Sequence, residues 1–140
     1  MMSVFEQFSS AKNLYQRYIW PVCRQFDLTQ MEFHILMFLA NNPEYDTAAQ
    51  VVKYRNLAKS HVSISVKALQ EKGLIEGYYL PGDRKSVHLR LCTASEPVVL
   101  AGKQAQGAFG KQLVQGFSEE EVEQLRTFIQ RIQDNMKAGE

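Results

Sequence analysis

The sequence predicts a mainly α chain with one small β-hairpin, an α+β domain of 140 residues. Three observations predict it. Ser or Thr followed three positions later by Glu or Gln opens several apolar-periodic segments. A β-prone stretch with turn residues follows Gly73. Both ends of the chain carry apolar residues at alternating spacings of four and three. The length suits one folding unit, and 45% apolar with 22% charged residues excludes a disordered or fibrous chain.

The helix starts can be read locally. In Leu28-Thr29-Gln30-Met31-Glu32-Phe33, Thr29 caps and Glu32 returns the bond, while Leu28 and Phe33 stand at staple spacing. Phe117-Ser118-Glu119-Glu120-Glu121-Val122 repeats the arrangement, its acids suiting the positive end of a helix dipole. Thr47-Ala48-Ala49-Gln50 is a milder version. A helix through 58–72 should end at Gly73, which can turn left-handed, with Leu74 folding back on Leu69. Ala58 offers no side-chain cap, so Asn56 is expected to cap this helix instead. The stretch Met31 to Ala40 is apolar almost all round and should lie between two layers.

After Gly73, Leu74-Ile75-Glu76-Gly77-Tyr78-Tyr79-Leu80 is β-prone and Pro81-Gly82-Asp83 has turn chemistry. Val87 to Leu91 alternates with period two, predicting Val87, Leu89 and Leu91 toward the core and His88 and Arg90 away from it. The next helix is expected to start at Ser95, with Pro97 in its first turn.

The terminal segments have a heptad rhythm. Val4, Phe8, Ala11, Tyr15, Tyr18 and Val22 form one stripe, and Val122, Leu125, Ile129, Ile132 and Met136 another. A small domain has little core for two long helices to cover, so both stripes predict a homodimer seam. Pro21 should kink or end the first helix near Trp20.

Net charge is only +1, but it is unevenly distributed. Residues 1–52 sum to −2, residues 53–92 to +5, residues 93–116 to +1 and residues 117–140 to −3. The basic middle comes from Lys53, Arg55, Lys59, Lys67, Lys72, Arg84, Lys85 and Arg90 against Glu71, Glu76 and Asp83. A basic centre between acidic ends suits a polyanion partner on one face.

Three helices and a hairpin within residues 29–92 are in the order of a winged helix-turn-helix. Asp27-Leu28-Thr29 with Glu32 and Phe33, Lys59-Ser60-His61-Val62-Ser63, and Leu69-Gln70-Glu71-Lys72-Gly73-Leu74-Ile75 follow one another at matching spacings. The wing Pro81-Gly82-Asp83-Arg84-Lys85, the strand Leu89-Arg90-Leu91 and the start Ser118-Glu119-Glu120-Glu121 complete the set. In this ordered set the chain resembles the MarR-type transcriptional regulators over nearly its whole length. The chain departs from the usual Asp-x-Arg wing tip, placing Lys85 where the Arg is common, and Cys92 separates Leu91 from Thr93.

The resemblance implies one MarR-like domain over 1–140, with a winged-helix DNA-binding part at 28–92 and dimerisation helices at 1–26 and 95–138. It also implies a cytoplasmic homodimer that represses transcription on a pseudo-palindromic double-stranded operator, and a small aromatic effector. Val62, Val66 and Leu69 should face the core, turning Lys59, Ser60, His61, Ser63, Ile64 and Lys67 outward. Small polar and basic side chains on an outward helix suit major-groove reading. Arg55 precedes them, and Arg84 and Lys85 at the wing tip suit the neighbouring minor groove or its phosphates. Tyr15, Tyr18, Trp20, Phe26 and Met37 are the candidate effector-pocket residues, with dimer-core packing the alternative.

Other chemistries find little support. Cys23 and Cys92 have no metal-ligand spacing, and Cys23, with only Arg24 beside it, reads as a buried inert thiol rather than a sensor. His34, His61 and His88 lie far apart in sequence, so neither metal nor cofactor is expected. Ser63, His61 and Asp83 would not converge as a triad, since the first two sit two apart on one helix; no enzyme is expected. No apolar run has membrane-spanning length and the first residues lack a basic-then-apolar leader, predicting a soluble, unsecreted chain. The competing reading is a winged helix that binds protein, which would predict an apolar outward face over residues 59–67.

Overall fold

The second helix organises the molecule. In the computed structural model, which describes residues 1–140, helices α1 (Val4–Gln25), α2 (Gln30–Asn41), α3 (Ala48–Arg55) and α4 (Lys59–Glu71) precede an antiparallel hairpin. The hairpin pairs β1 (Ile75–Leu80) with β2 (Asp83–Leu91). A 3-10 turn at Thr93–Ser95 leads into α5 (Glu96–Leu113), and α6 (Glu119–Ala138) ends the chain. Seven of the twelve residues of α2 are buried, as its all-round apolar composition requires. One face serves a core with α4, the hairpin and Val98; Phe33 and Met37 serve a second with Ile19, Val22 and Cys23 of α1.

Capping boxes close on Thr29 with Glu32, Thr47 with Gln50 and Ser118 with Glu121, and a fourth opens α1 at Ser3 with Glu6. Gly73 takes φ +72°, letting its N–H reach the Gln70 carbonyl and the Leu74 N–H the Leu69 carbonyl, each at 3.0 Å. That arrangement satisfies the last carbonyls of α4 and aims the chain into β1. Ser95 precedes α5 and Pro97 occupies its first turn, as expected.

Three expectations need correction. Helix α1 does not end at Trp20 but runs through Pro21 to Gln25. Pro21 has no N–H to donate to the Arg17 carbonyl, and burial of Ile19, Val22 and Cys23 holds the last turns in place. Asn56 does not cap α4; it adopts φ +52° and closes α3, while the Ala58 cap makes no side-chain bond. His88 does not point freely to solvent. It is half-buried against Asp46, because Asp46 and Thr47 lie along the outer edge of β2, the Leu89 N–H donating to the Asp46 carbonyl at 2.7 Å.

The terminal stripes are only partly covered within one chain. Val22 is buried and Tyr15 and Tyr18 are half-buried, but Val4, Phe5 and Phe8 are exposed. Helix α6 buries no residue, and Phe128, Ile129, Ile132 and Met136 all face solvent.

Candidate nucleic-acid interface

Helix α4 presents two faces of opposite chemistry. Val62, Ser65, Val66 and Leu69 are buried, while Lys59, Ser60, His61, Ser63, Ile64 and Lys67 are exposed. Burial of Ser65 breaks no rule, since a small hydroxyl fits where a longer polar chain would not. The outward surface is polar and basic apart from Ile64, contrary to the apolar face a protein-binding winged helix would show.

The hairpin extends this surface. Strand β1 comes close to α4 at Gly77, where an added Cβ would lie 2.8 Å from Nε2 of Gln70 and 3.3 Å from Val87. A Cβ there would first displace the flexible end of the exposed Gln70 side chain and crowd Val87. Between the helix, the start of α3 and the hairpin runs a groove of about 760 Å³, and Lys59, Ser63, Lys67 and Lys85 stand along it. Three ammonium groups on one groove with no acid among its lining residues make it a place for an anion.

Asp83 shapes the wing tip. Its Oδ1 accepts from the N–H groups of Lys85 at 2.9 Å and Ser86 at 3.3 Å, and these donors hold its carboxyl below the usual range. The turn is thereby fixed, with Arg84 and Lys85 both exposed. Arg55 stands apart from the groove. It ends α3, is exposed, and lines a smaller cleft of about 170 Å³ with Tyr15, His34, Met37, Asn41 and Gln106.

The five candidate effector-pocket residues do not surround one cavity. Tyr15 and Met37 line the small cleft, and the Tyr15 hydroxyl accepts from Nε2 of Gln106 at 2.9 Å. Tyr18 packs edge-on against Phe109, Phe26 packs against both cores, and Trp20 is exposed. His34, missed at the sequence level as a cleft residue, is held at a pKa of about 4 by burial, with Arg55 and Lys12 adding repulsion. Cys23 is buried and its thiol is pushed up by that burial, consistent with an inert core thiol.

Thr47, Tyr79 and Ser86 also line the groove. Alternation along β1 puts Tyr79 on the same face as Ile75 and Gly77, toward α4, a signal that could have found it; the sequence around Thr47 carries only a capping signal.

Residues 26–86 match the sequence model of the MarR family. Staphylococcus aureus MepR in its DNA-binding conformation is 22% identical, with a TM-score of 0.83 over 96% of this chain and 99% of that one. The S. aureus MepR–DNA complex, also 22% identical, gives 0.77 over the same shares. A MarR transcriptional regulator from Methanosarcina mazei Go1, 15% identical, gives 0.82 over 98% of this chain and 91% of that one. The chain thus matches the MarR family's sequence model over residues 26–86 and shares the fold of these solved structures over nearly its whole length.

Proposed function

We propose that the protein is a sequence-specific double-stranded DNA-binding transcriptional regulator that acts as a homodimer. The observation that supports this most is the polar, basic outward face of α4 beside a wing tip bearing Arg84 and Lys85. Ser60, His61 and Ser63 are assigned to base edges, Lys59 and Lys67 to phosphates, and Arg84 and Lys85 to the minor groove or its backbone. Arg55, away from the groove, is assigned a flanking phosphate at most. Residues 28–92 form the DNA-binding part, and helices within 1–26 and 95–138 form the dimer seam, whose apolar residues are exposed in the single chain. A relative solved as a DNA complex has the same fold.

Repression follows from the steric logic of a dimer occupying a pseudo-palindrome, with half-sites about 10 base pairs apart. A small aromatic effector would enter the cleft beside Tyr15, His34 and Met37, where α1, α2 and α5 meet, and would act only by binding one arrangement of the dimer more tightly. The test is selection of genomic fragments with the purified protein, followed by footprinting and a promoter reporter. A symmetric two-half-site footprint and a silenced reporter are expected. A single asymmetric half-site would sink the dimer on DNA, and reporter activation would overturn repression alone.

A further inference from the structure

The outward face of α4 contains one residue that the electrostatic account leaves unused. Ile64 is 68% exposed and is the only large apolar residue of α4 that is exposed. At about 100° per residue, the buried Val62, Ser65, Val66 and Leu69 centre on one direction, and Ile64 points within about 30° of the opposite one. It therefore stands at the crest of the helix, with Ser60 one turn before it and Lys67 nearly one turn after it. Nothing in the chain covers it. The other large exposed apolar side chains lie at the N-terminal end or on α1, α3, the wing, α5 or the α6 region, none of them on α4.

Resting on the DNA-binding reading above, we infer that Ile64 recognises a pyrimidine C5 methyl group, that of a thymine, in the major groove. The methyl is the one apolar feature on the major-groove edge of the base pairs, and the crest of a recognition helix is the part that reaches deepest. A β-branched side chain has little χ1 freedom in a helix, so Ile64 meets the methyl without losing much rotamer entropy. Its polar neighbours Ser60, His61 and Lys67 would hydrogen-bond or pair with charge around that contact, and would exclude water from it. Ile64 is thus a specificity-determining residue, which favours a T·A pair at one position of each half-site.

The test uses the operator selected by the full-length protein. Each thymine is replaced singly by deoxyuridine, which keeps base pairing and removes only the methyl, and affinities are measured for the unmutated protein and Ile64→Ala. Alanine is the better helix former and the site is exposed, so folding is retained. At one thymine per half-site, uracil should weaken the unmutated protein about fourfold, and about fifteenfold when both half-sites are changed. Ile64→Ala should bind the thymine and uracil duplexes equally. In a third arm, cytosine and 5-methylcytosine replace that thymine opposite guanine. A gain from the 5-methylcytosine methyl with none from thymine over uracil would overturn the thymine assignment. If binding is sequence-specific and His61→Ala and Ser63→Ala erode it, yet no thymine shows Ile64-dependent sensitivity, this inference fails and the DNA-binding reading stands. Absence of any sequence-specific binding by the unmutated protein would sink that reading, and the inference with it.

Discussion

The carboxylate of Asp46 lies 2.9 Å from Nδ1 of His88 and ties the segment before α3 to the second strand of the wing. The other Asp46 oxygen accepts the Tyr78 hydroxyl at 3.1 Å, from the facing strand. Tyr78 stacks on His88 with centroids 5.4 Å apart, and the Arg90 guanidinium sits 4.3 Å over the same ring. Arg90 in turn pairs with Glu76 at 2.9 Å. Both strands of the wing are thereby anchored to the same loop that starts the helix-turn-helix. The direction of Arg84 and Lys85 depends on that anchor.

Asp46→Ala should remove the acceptor for both rings and leave two half-buried donors short of a partner. A cost of about 1–2 kcal/mol in urea unfolding is expected. Asp46→Asn, which keeps one carbonyl acceptor, should cost less. Amide exchange in β2 should accelerate in the alanine variant. Unchanged stability and unchanged wing protection would show that the backbone bond from Leu89 to Asp46 suffices.

Glu32 predicts a second effect at long range. It is 5% exposed, accepts from its Thr29 partner in the capping box, and lies 2.8 Å from Nζ of Lys72. Lys72 also donates to the Asp27 carbonyl, joining the end of α4 to the turn between α1 and α2. Lys72→Met should leave the Glu32 carboxylate buried and undercompensated, costing about 2 kcal/mol after allowing for the part-exposed ammonium. Glu32→Gln keeps a capping partner and an acceptor, so it should be milder than Glu32→Ala. Chemical denaturation of the three variants checks the order.

His34 makes stability fall with acid. Its folded pKa of about 4 lies below the ordinary 6.5, so between these values the unfolded chain binds a proton that the folded chain refuses. The contribution is full above pH 6.5 and is lost progressively as the pH drops toward 4, by at most about 3 kcal/mol. His34→Phe keeps a ring against Tyr15 and removes the titration, so its stability should decline less from pH 7 to 4.5. An equal decline in both proteins would assign the acid sensitivity elsewhere.

Local signals were legible in the sequence and long-range ones were not. The capping boxes at Thr29, Thr47 and Ser118 act within four residues, and Gly73 needs only its own φ, so pattern alone located them. The inward and outward faces of α4 followed from periodicity. Asp46 with His88 and Glu32 with Lys72 join residues 42 and 40 positions apart, which no local pattern encodes. Pro21 misled because the rule for an isolated helix ignores the packing of Ile19, Val22 and Cys23 around it. Within the single chain the candidate aromatic residues do not line one cleft: Tyr15 and Tyr18 both pack on Phe109, Phe26 packs against the two cores and Trp20 is exposed, which residue type does not reveal.

A dimer should be obligate for α6. Its twenty residues bury nothing in the single chain, and an isolated helix of that length is marginal in water. Covering Phe128, Ile129, Ile132 and Met136 with a second copy, alongside the exposed Val4, Phe5 and Phe8 of α1, would supply the missing packing. Ile129→Asp with Ile132→Asp would bury charge in the seam at a cost of several kcal/mol. Sedimentation should show a dimer at micromolar concentration and dissociation or unfolding of the double variant. A folded, unmutated monomer at that concentration would end the dimer reading.

Helix and wing should contribute differently to DNA affinity. Ser63 and His61 are exposed on α4, and losing a base-edge contact should cost about 1–3 kcal/mol on the selected site but little on random DNA. Ser63→Ala or His61→Ala should therefore shrink the ratio of specific to non-specific affinity. Lys67, a flexible cation on the groove, suits phosphate; Lys67→Ala should weaken both duplexes and flatten log K against log salt by about one unit. Arg84 decides what the wing reads. It stands exposed at a tip that Asp83 holds in place, so Arg84→Ala should reduce specificity if the minor groove is entered, and only the salt slope if phosphate alone is touched. Lys85→Ala serves as the paired comparison, because Lys85 lines the groove beside Lys59 and Lys67 and should act through charge. Fluorescence anisotropy on both duplexes at several salt concentrations separates these outcomes. If His61→Ala and Ser63→Ala leave the specificity ratio intact while binding stays tight, α4 is not the element that reads sequence.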